Sequence, residues 1–294
     1  MWDRPMRALP DQRCADLPRR PRIQRARAES TSGGDLMPRP RVAFFSFTSC
    51  EGCQLTVLEQ ETKLLELLEV VEIVRFREAI DRREDRFDVA FVEGSISTPE
   101  EEDRVRWIRN QAGLVVAIGA CATLGGVNAI REDRDHLDVQ GRVYGEKGEW
   151  YPAHQVKTVA EVVSIDFELH GCPMAGAEFL DLVSCLITGR KFRQKGTSVC
   201  VECVLRGTVC QLWKGRPCLG PISRGGCQAV CPSQGGSCIG CRGLATEANL
   251  PALADQLESE GLGDGVTERM LELFNRKEFA AREGGQGDGK GDPA

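Results

Sequence analysis

Fourteen cysteines, and above all their spacing, limit what this chain of 294 residues can become. Cys50 and Cys53 form a C-x-x-C pair, and Cys121 and Cys172 stand alone. Eight more follow as Cys200-x2-Cys203-x6-Cys210-x7-Cys218 and Cys227-x3-Cys231-x6-Cys238-x2-Cys241. A secreted disulfide domain is usually short and carries an export signal. This chain is long, and the arginines around Arg19 and Arg20 are followed by no apolar stretch, so neither a Sec nor a twin-arginine signal is read. The expected compartment is the reducing cytoplasm, where many cysteines imply metal or redox chemistry. A net charge of −6 gives no overall basic field for nucleic acid. No window approaches the roughly 20 continuous apolar residues of a membrane-spanning helix.

Residues 1–40 are rich in Arg, Pro and Ser and read as a disordered leader, or as a start assigned upstream of Met37. From residue 41, apolar runs alternate with helical stretches. Strands are expected at Arg41–Phe47, Val70–Phe76, Asp88–Val92, Leu114–Ala120 and Ser164–Leu169. Helices are expected at Leu55–Leu68, Pro99–Asn110 (with Thr98 as N-cap and acidic residues in the first turn) and Gly176–Ile187. This alternation predicts an α/β fold with a parallel sheet covered on both faces. Residues 196–243 are dense in Cys, Gly and Pro, so something other than a hydrophobic core must hold them together. Helices at Leu250–Glu260 and Thr267–Arg282 and a Gly/Asp tail close the chain.

Cys50 and Cys53 follow the first expected strand, Cys121 follows LVVAIGA and Cys172 follows IDFELH. The carboxyl ends of parallel strands converge on one crevice, where ligands bind. Three separated positions therefore deliver four thiolates to one place, which suits a cubane iron–sulfur cluster with one thiolate per iron. Gly52, Gly119, Gly125, Gly126 and Gly171 permit close backbone approach around them. A structural zinc is the alternative, although zinc ribbons usually pair two C-x-x-C knuckles.

The eight later cysteines divide into two sets of four, each with one C-x-x-C, and Cys231-Pro232 echoes the ending of bacterial ferredoxin motifs. The spacing is not that of an ordinary ferredoxin, so the pairing within the eight stays open at this point. Cys14 sits in the leader without a partner pattern, and Cys185 lies on an apolar helix face as a small core residue. Twelve cysteines remain, enough for three clusters.

The motifs TSCEGCQ, GACATLGG, HGCP and the series CLGP, CP and CIGCRG resemble the small subunit of cytoplasmic [NiFe] hydrogenases. The match is to the sulfhydrogenase delta and F420-non-reducing type, within the superfamily of the 20 kDa subunit of NADH:ubiquinone oxidoreductase. The resemblance covers roughly residues 41–245. It implies a flavodoxin-like α/β domain at 41–190 with a proximal [4Fe–4S] cluster on Cys50, Cys53, Cys121 and Cys172. It further implies a small two-cluster iron–sulfur domain with little regular structure at 191–245. There Cys200, Cys203, Cys210 and Cys218 would hold a distal cluster, and Cys227, Cys231, Cys238 and Cys241 a medial one. C-terminal helices at 246–284 and a disordered tail at 285–294 would follow. Cysteines at 200 and 231, where membrane-bound relatives often carry histidine and proline, favour three [4Fe–4S] clusters.

The resemblance implies electron transfer between a nickel–iron large subunit, which interconverts H2 with protons and electrons, and a flavoprotein or other electron-acceptor subunit. Once twelve cysteines are assigned, no set remains for nickel, so the catalytic site is expected in the partner. His136, His154 and His170 are too few and scattered for another centre; His170 flanks Cys172 and either tunes a cluster or fills an interface. The alternatives are a complex-I-like quinone-reducing module with only the first cluster, and a zinc-stabilised scaffold.

Overall fold

Runs of β-branched and aromatic residues, apolar on both faces, form the centre of the molecule. The structure is a computed structural model that describes residues 39–131, 134–150, 154–262 and 265–279. The tail and Cys14 lie outside the described residues, as does the leader apart from Arg39 and Pro40. In chain order the elements begin with β1 (Arg41–Ser46), α1 (Gly52–Leu58), α2 (Thr62–Val70), β2 (Glu72–Arg75) and β3 (Val89–Glu93). They continue with α3 (Pro99–Gln111), β4 (Leu114–Ile118), α4 (Gly119–Leu124), α5 (His136–Tyr144), α6 (Val159–Val162), β5 (Phe167–Leu169) and α7 (Gly176–Thr188). The cysteine-rich stretch adds α8 (Val199–Leu205) and α9 (Val230–Ser233), and α10 (Leu250–Ser259) and α11 (Val266–Glu272) follow.

The five strands pair in the order β2-β1-β3-β4-β5, and every pairing is parallel. The order reverses between β1 and β3, the switch point at which an open α/β sheet forms its crevice. Every residue of β3 and β4 is buried, as expected of strands covered on both faces. One face packs Phe45, Val92 and Val115 against Val105 and Ile108 of α3. On the other, Phe44 stacks between Phe76 and Phe91, and Phe91 meets Phe179 of α7.

Several boundaries differ from the sequence expectation for identifiable reasons. The stretch Leu55–Leu68 is two helices, because Glu61 takes a positive φ of 42°. The Gln60 side chain donates to the Thr56 carbonyl (2.9 Å), the acceptor that the Gln60 amide would use in a continuous helix. β5 is shortened to three residues, because the Asp166 carboxylate accepts from the Val115 amide (2.8 Å) and from Arg109 (2.6 Å). α11 stops at Glu272, and the buried Asn275 instead donates its side chain to the Gly240 carbonyl (3.0 Å). α3 starts as expected, with Thr98 accepting from the Glu101 amide.

The cysteine-rich stretch has only short regular elements, but it is not without apolar anchors. Leu219, Ile222 and Leu244 pack with Leu253 and Leu257 of α10 and Leu271 of α11. The C-terminal helices thus lend it part of the core that its own sequence lacks. Among the described residues, no helix is long and apolar enough to cross a membrane.

Candidate metal centre

The first thiols are positioned by the way β1 runs into α1. Glu51 sits left-handed at the N-cap of α1 (φ 61°), held by Ser46 at 2.5 Å and Arg77 at 2.6 Å, so Cys50 precedes the helix and Cys53 lies in its first turn. The free amides of that turn point at the end of β3, where Glu93 accepts from Cys53 N (2.9 Å), Gln54 N (3.0 Å) and Gln54 Nε2 (3.1 Å). A carboxylate at a helix N-terminus is favourable. It fixes Cys53 against the sheet. Burial nevertheless raises the Glu93 pKa, with those hydrogen bonds opposing the rise.

β4 ends abruptly at Ile118, because Gly119 takes a φ of +85° and a Cβ there would run into the Cys53 sulfur. No other residue fits that turn, and from it α4 carries Cys121 into the crevice. The loop after β5 brings Cys172, and the Met174 amide points at the Cys53 sulfur at 3.5 Å. The four thiols from β1–α1, α4 and the β5 loop lie within electrostatic reach of one another: Cys121 and Cys172 act on Cys53, and Cys172 and Cys50 act on Cys121. Burial, followed by carboxylate and thiolate neighbours, raises the Cys53 pKa strongly and pushes Cys121 up to about 12.

The later eight form two neighbouring groups. Cys200 lies among Cys218, Cys203 and Cys210, while Cys241 lies near Cys227 and Cys231. Cys218 lies at their seam, since the Cys238 amide donates to its sulfur at 3.3 Å. A Cβ on Gly220 would stand 3.4 Å from both the Cys200 and Cys218 sulfurs. Burial pushes Cys200 and Cys238 up to about 12 and Cys241 to about 11. Such thiols ionise only beside a strong positive charge, which a bound metal supplies. All thirteen described cysteines are free, including Cys185, which is buried on α7.

The groups form a chain in space. The charge of Cys172 acts on Cys241, which makes the strand-end group and the second half of the eight neighbours. The two halves of the eight are within electrostatic reach of each other at Cys203 and Cys227 and at Cys218 and Cys231. Among the described residues, no three His, Cys, Asp or Glu side chains converge closely enough to hold one metal ion. Four thiols to a set match both the four ligands of a structural zinc and the one-sulfur-per-iron ligation of a cubane cluster.

Three charged residues that sequence reasoning did not single out hold this arrangement. Arg242, 2% exposed, donates to the His170 carbonyl (2.7 Å) and the Gly225 carbonyl (2.9 Å) and forks onto Glu178 at 2.7 and 2.9 Å. It clamps the Cys172 loop to the Cys227 loop. Glu202 accepts from the amides of Gly226 (2.9 Å) and Ala229 (3.1 Å) on either side of Cys227, and from Lys195 (3.1 Å). Burial opposes ionisation of Glu202, but these donors hold its carboxyl below the usual range. Glu93 is the third. Its signal was a carboxylate ending an otherwise apolar strand at the crevice; that of Arg242 was only its place beside Cys241.

His170 is buried and bonds through Nδ1 to Thr123 Oγ1 (2.9 Å), with Nε2 3.7 Å from Glu168. Burial, then the guanidinium charges of Arg224 and Arg242, lowers its pKa to about 3, so the contact with Glu168 joins a neutral ring to the carboxyl.

Residues 50–186 match the family model described as NADH ubiquinone oxidoreductase, 20 Kd subunit. The chain is 37% identical over 238 residues to sulfhydrogenase 2 subunit delta of Pyrococcus furiosus, covering 80% of this chain and 99% of that protein. It is 30% identical to a vhu-type F420-non-reducing hydrogenase subunit of Methanocaldococcus jannaschii, over 69% of this chain and 81% of that one. Among solved structures, the actinobacterial-type NiFe-hydrogenase from Ralstonia eutropha H16 matches with a TM-score of 0.54 at 15% identity, covering 87% of this chain and 94% of that one. That likeness is one of fold.

Proposed function

The chain belongs to the hydrogenase-subunit family of the sulfhydrogenase delta and F420-non-reducing hydrogenase proteins, and from that premise we propose that it carries electrons between a nickel–iron large subunit and a further redox subunit. In this reading, H2 is interconverted with two protons and two electrons in the large subunit. The chain's own cysteines hold three [4Fe–4S] clusters, each of which supplies one-electron storage. Cys50, Cys53, Cys121 and Cys172 hold the proximal one, facing the large subunit. Cys227, Cys231, Cys238 and Cys241 hold the medial one, and Cys200, Cys203, Cys210 and Cys218 the distal one. The Arg242 clamp on the His170 and Gly225 carbonyls, with Cys172 within electrostatic reach of Cys241, is the observation that carries this order, because it makes the second set the neighbour of the first. The protein's part is to orient the thiols, donate amides to the Cys53 and Cys218 sulfurs and bury Cys53, Cys218 and Cys238, while Cys50, Cys172 and Cys231 stay exposed. In this reading the chain works in a reducing, cytoplasmic setting.

Iron and acid-labile sulfide on anaerobically purified protein test the reading, with about twelve of each expected per chain. Zinc without sulfide would sink it. Replacing Cys121 with Ala should abolish H2-dependent dye reduction while the signals of the other two clusters persist; normal activity would contradict the proximal assignment.

A second reading, a quinone-reducing module like that of complex I, draws on the family model over residues 50–186. It leaves the eight cysteines after residue 186 without a role. A nickel-binding large subunit that co-purifies with the chain decides for the first reading, and its absence decides for the second.

A further inference from the structure

The cysteine-rich stretch presents an outer face that cluster binding does not use. α8 buries Val199 and Glu202 and turns its remaining apolar residues outward, leaving Val204 78% and Leu205 81% exposed. A groove of about 410 Å³, lined by Arg206, Val209, Lys214 and Pro232, joins the end of α8 to α9. Trp213 (84% exposed), just before Lys214 in the chain, and Val230 (52% exposed), one residue removed from Pro232, are open to solvent as well. Single exposed apolar residues are ordinary on a protein surface, whereas a contiguous group marks an interaction site.

Charge says what kind of partner fits. Between Glu202 and Glu247 the sequence has no carboxylate, but it has Arg206, Lys214, Arg216, Arg224 and Arg242, in a chain whose net charge is −6. Arg224 and Arg242 turn inward to Glu278 and Glu178. Arg206, Lys214 and Arg216 stay exposed at the groove and reach no carboxylate among the described residues. Arg206 bonds Gln228 and Arg216 bonds the Gly235 carbonyl. Part of this positive charge offsets the thiolates beneath, yet the exposed heads are what an approaching surface meets first.

We propose that this face is the docking surface for an acidic redox subunit or carrier, whose apolar centre covers Val204, Leu205 and Trp213 and whose carboxylates meet Arg206, Lys214 and Arg216. The proposal rests on the electron-transfer reading and names the partner's chemistry. An apolar centre inside a charged rim is the usual build of a protein–protein interface. The rim steers encounter and selects the partner's sign. A two-fold pair of copies of this chain would set the same cations opposite one another, which disfavours self-association here. α8 also carries Cys200 and Cys203, so a partner seated on it comes close to the thiol set that ends the chain of groups.

The test uses the hydrogenase complex purified anaerobically with its accompanying subunits. Zero-length carbodiimide coupling should join Lys214 to an Asp or Glu of a flavin or iron–sulfur subunit, and amide exchange over α8 and residues 209–216 should be suppressed. In the double variant Arg206→Glu/Lys214→Glu, iron content and H2-dependent viologen reduction stay at wild-type values. H2-dependent reduction of the accompanying acceptor falls about tenfold or more at low salt and loses its salt dependence. Trp213→Ser weakens the coupling but keeps the salt dependence. The proposal is overturned if α8 exchanges freely in the complex, or if the double variant couples normally. It is equally overturned if a second copy of the chain, or phosphatidylglycerol vesicles, protects the face instead. A wild-type complex that lacks iron or fails to reduce viologen with H2 removes the electron-transfer reading first, and this proposal with it.

Discussion

The sheet and the cysteine-rich stretch solve the same folding problem with different materials. In the sheet, β3 and β4 are buried along their whole lengths and aromatic rings stack across them, so hydrocarbon holds the strands in register. Around Cys218 and Cys238 the buried cluster is Val199, Ala229 and the cysteines themselves, with Cys203, Leu212 and Cys227 at its edge. A cluster of that composition excludes little apolar area. The sheet contains its own reason to fold; where the cysteine-rich stretch binds metal as proposed, metal-binding free energy becomes folding free energy.

The sharpest way to break this comparison is to strip the metal anaerobically with a chelator. Amide exchange should rise to nearly unprotected rates across residues 196–243 while β1, β3 and β4 stay protected; equal protection in both states would end the contrast. From the other side, Phe91→Ala should cost about 3–5 kcal/mol in denaturant unfolding of the sheet. The iron content of molecules that still fold should not change. Arg242→Met tests the join between the two regions. It leaves the Glu178 carboxylate buried without its partner and should cost about 3 kcal/mol. Adding Glu178→Leu should recover part of the loss, and a stability equal to wild type in the single variant would show the clamp to be idle. The smallest effect is expected at Thr98→Ala, about 1 kcal/mol from the lost cap of α3, with metal content untouched.

The sheet was legible in the sequence because its signals are local. Strands such as LVVAI are apolar on both faces, and Thr98-Pro99 followed by acidic residues announces α3. The places of Cys50, Cys53, Cys121 and Cys172 after strands were legible for the same reason. What escaped is non-local. The break at Glu61 depends on a side chain competing for a carbonyl, and the early end of α11 depends on Asn275 reaching Gly240. Residues 121–163, where the sequence reading assigned no element, contain α5, α6 and 3₁₀ turns at Gly126–Arg131 and Gly145–Trp150. Arg242 and Glu202 look like surface residues in the sequence, and only the folded chain shows them buried among carbonyls and amides.

Arg242 also acts as a gauge. Electron tunnelling between neighbouring centres slows exponentially as the gap widens. A guanidinium bonded at once to the His170 and Gly225 carbonyls fixes how far the Cys172 loop stands from the Cys227 loop. If redox centres occupy both sets, one side chain sets the rate of the step between them, and a shorter residue there would slow the whole current without touching a single sulfur.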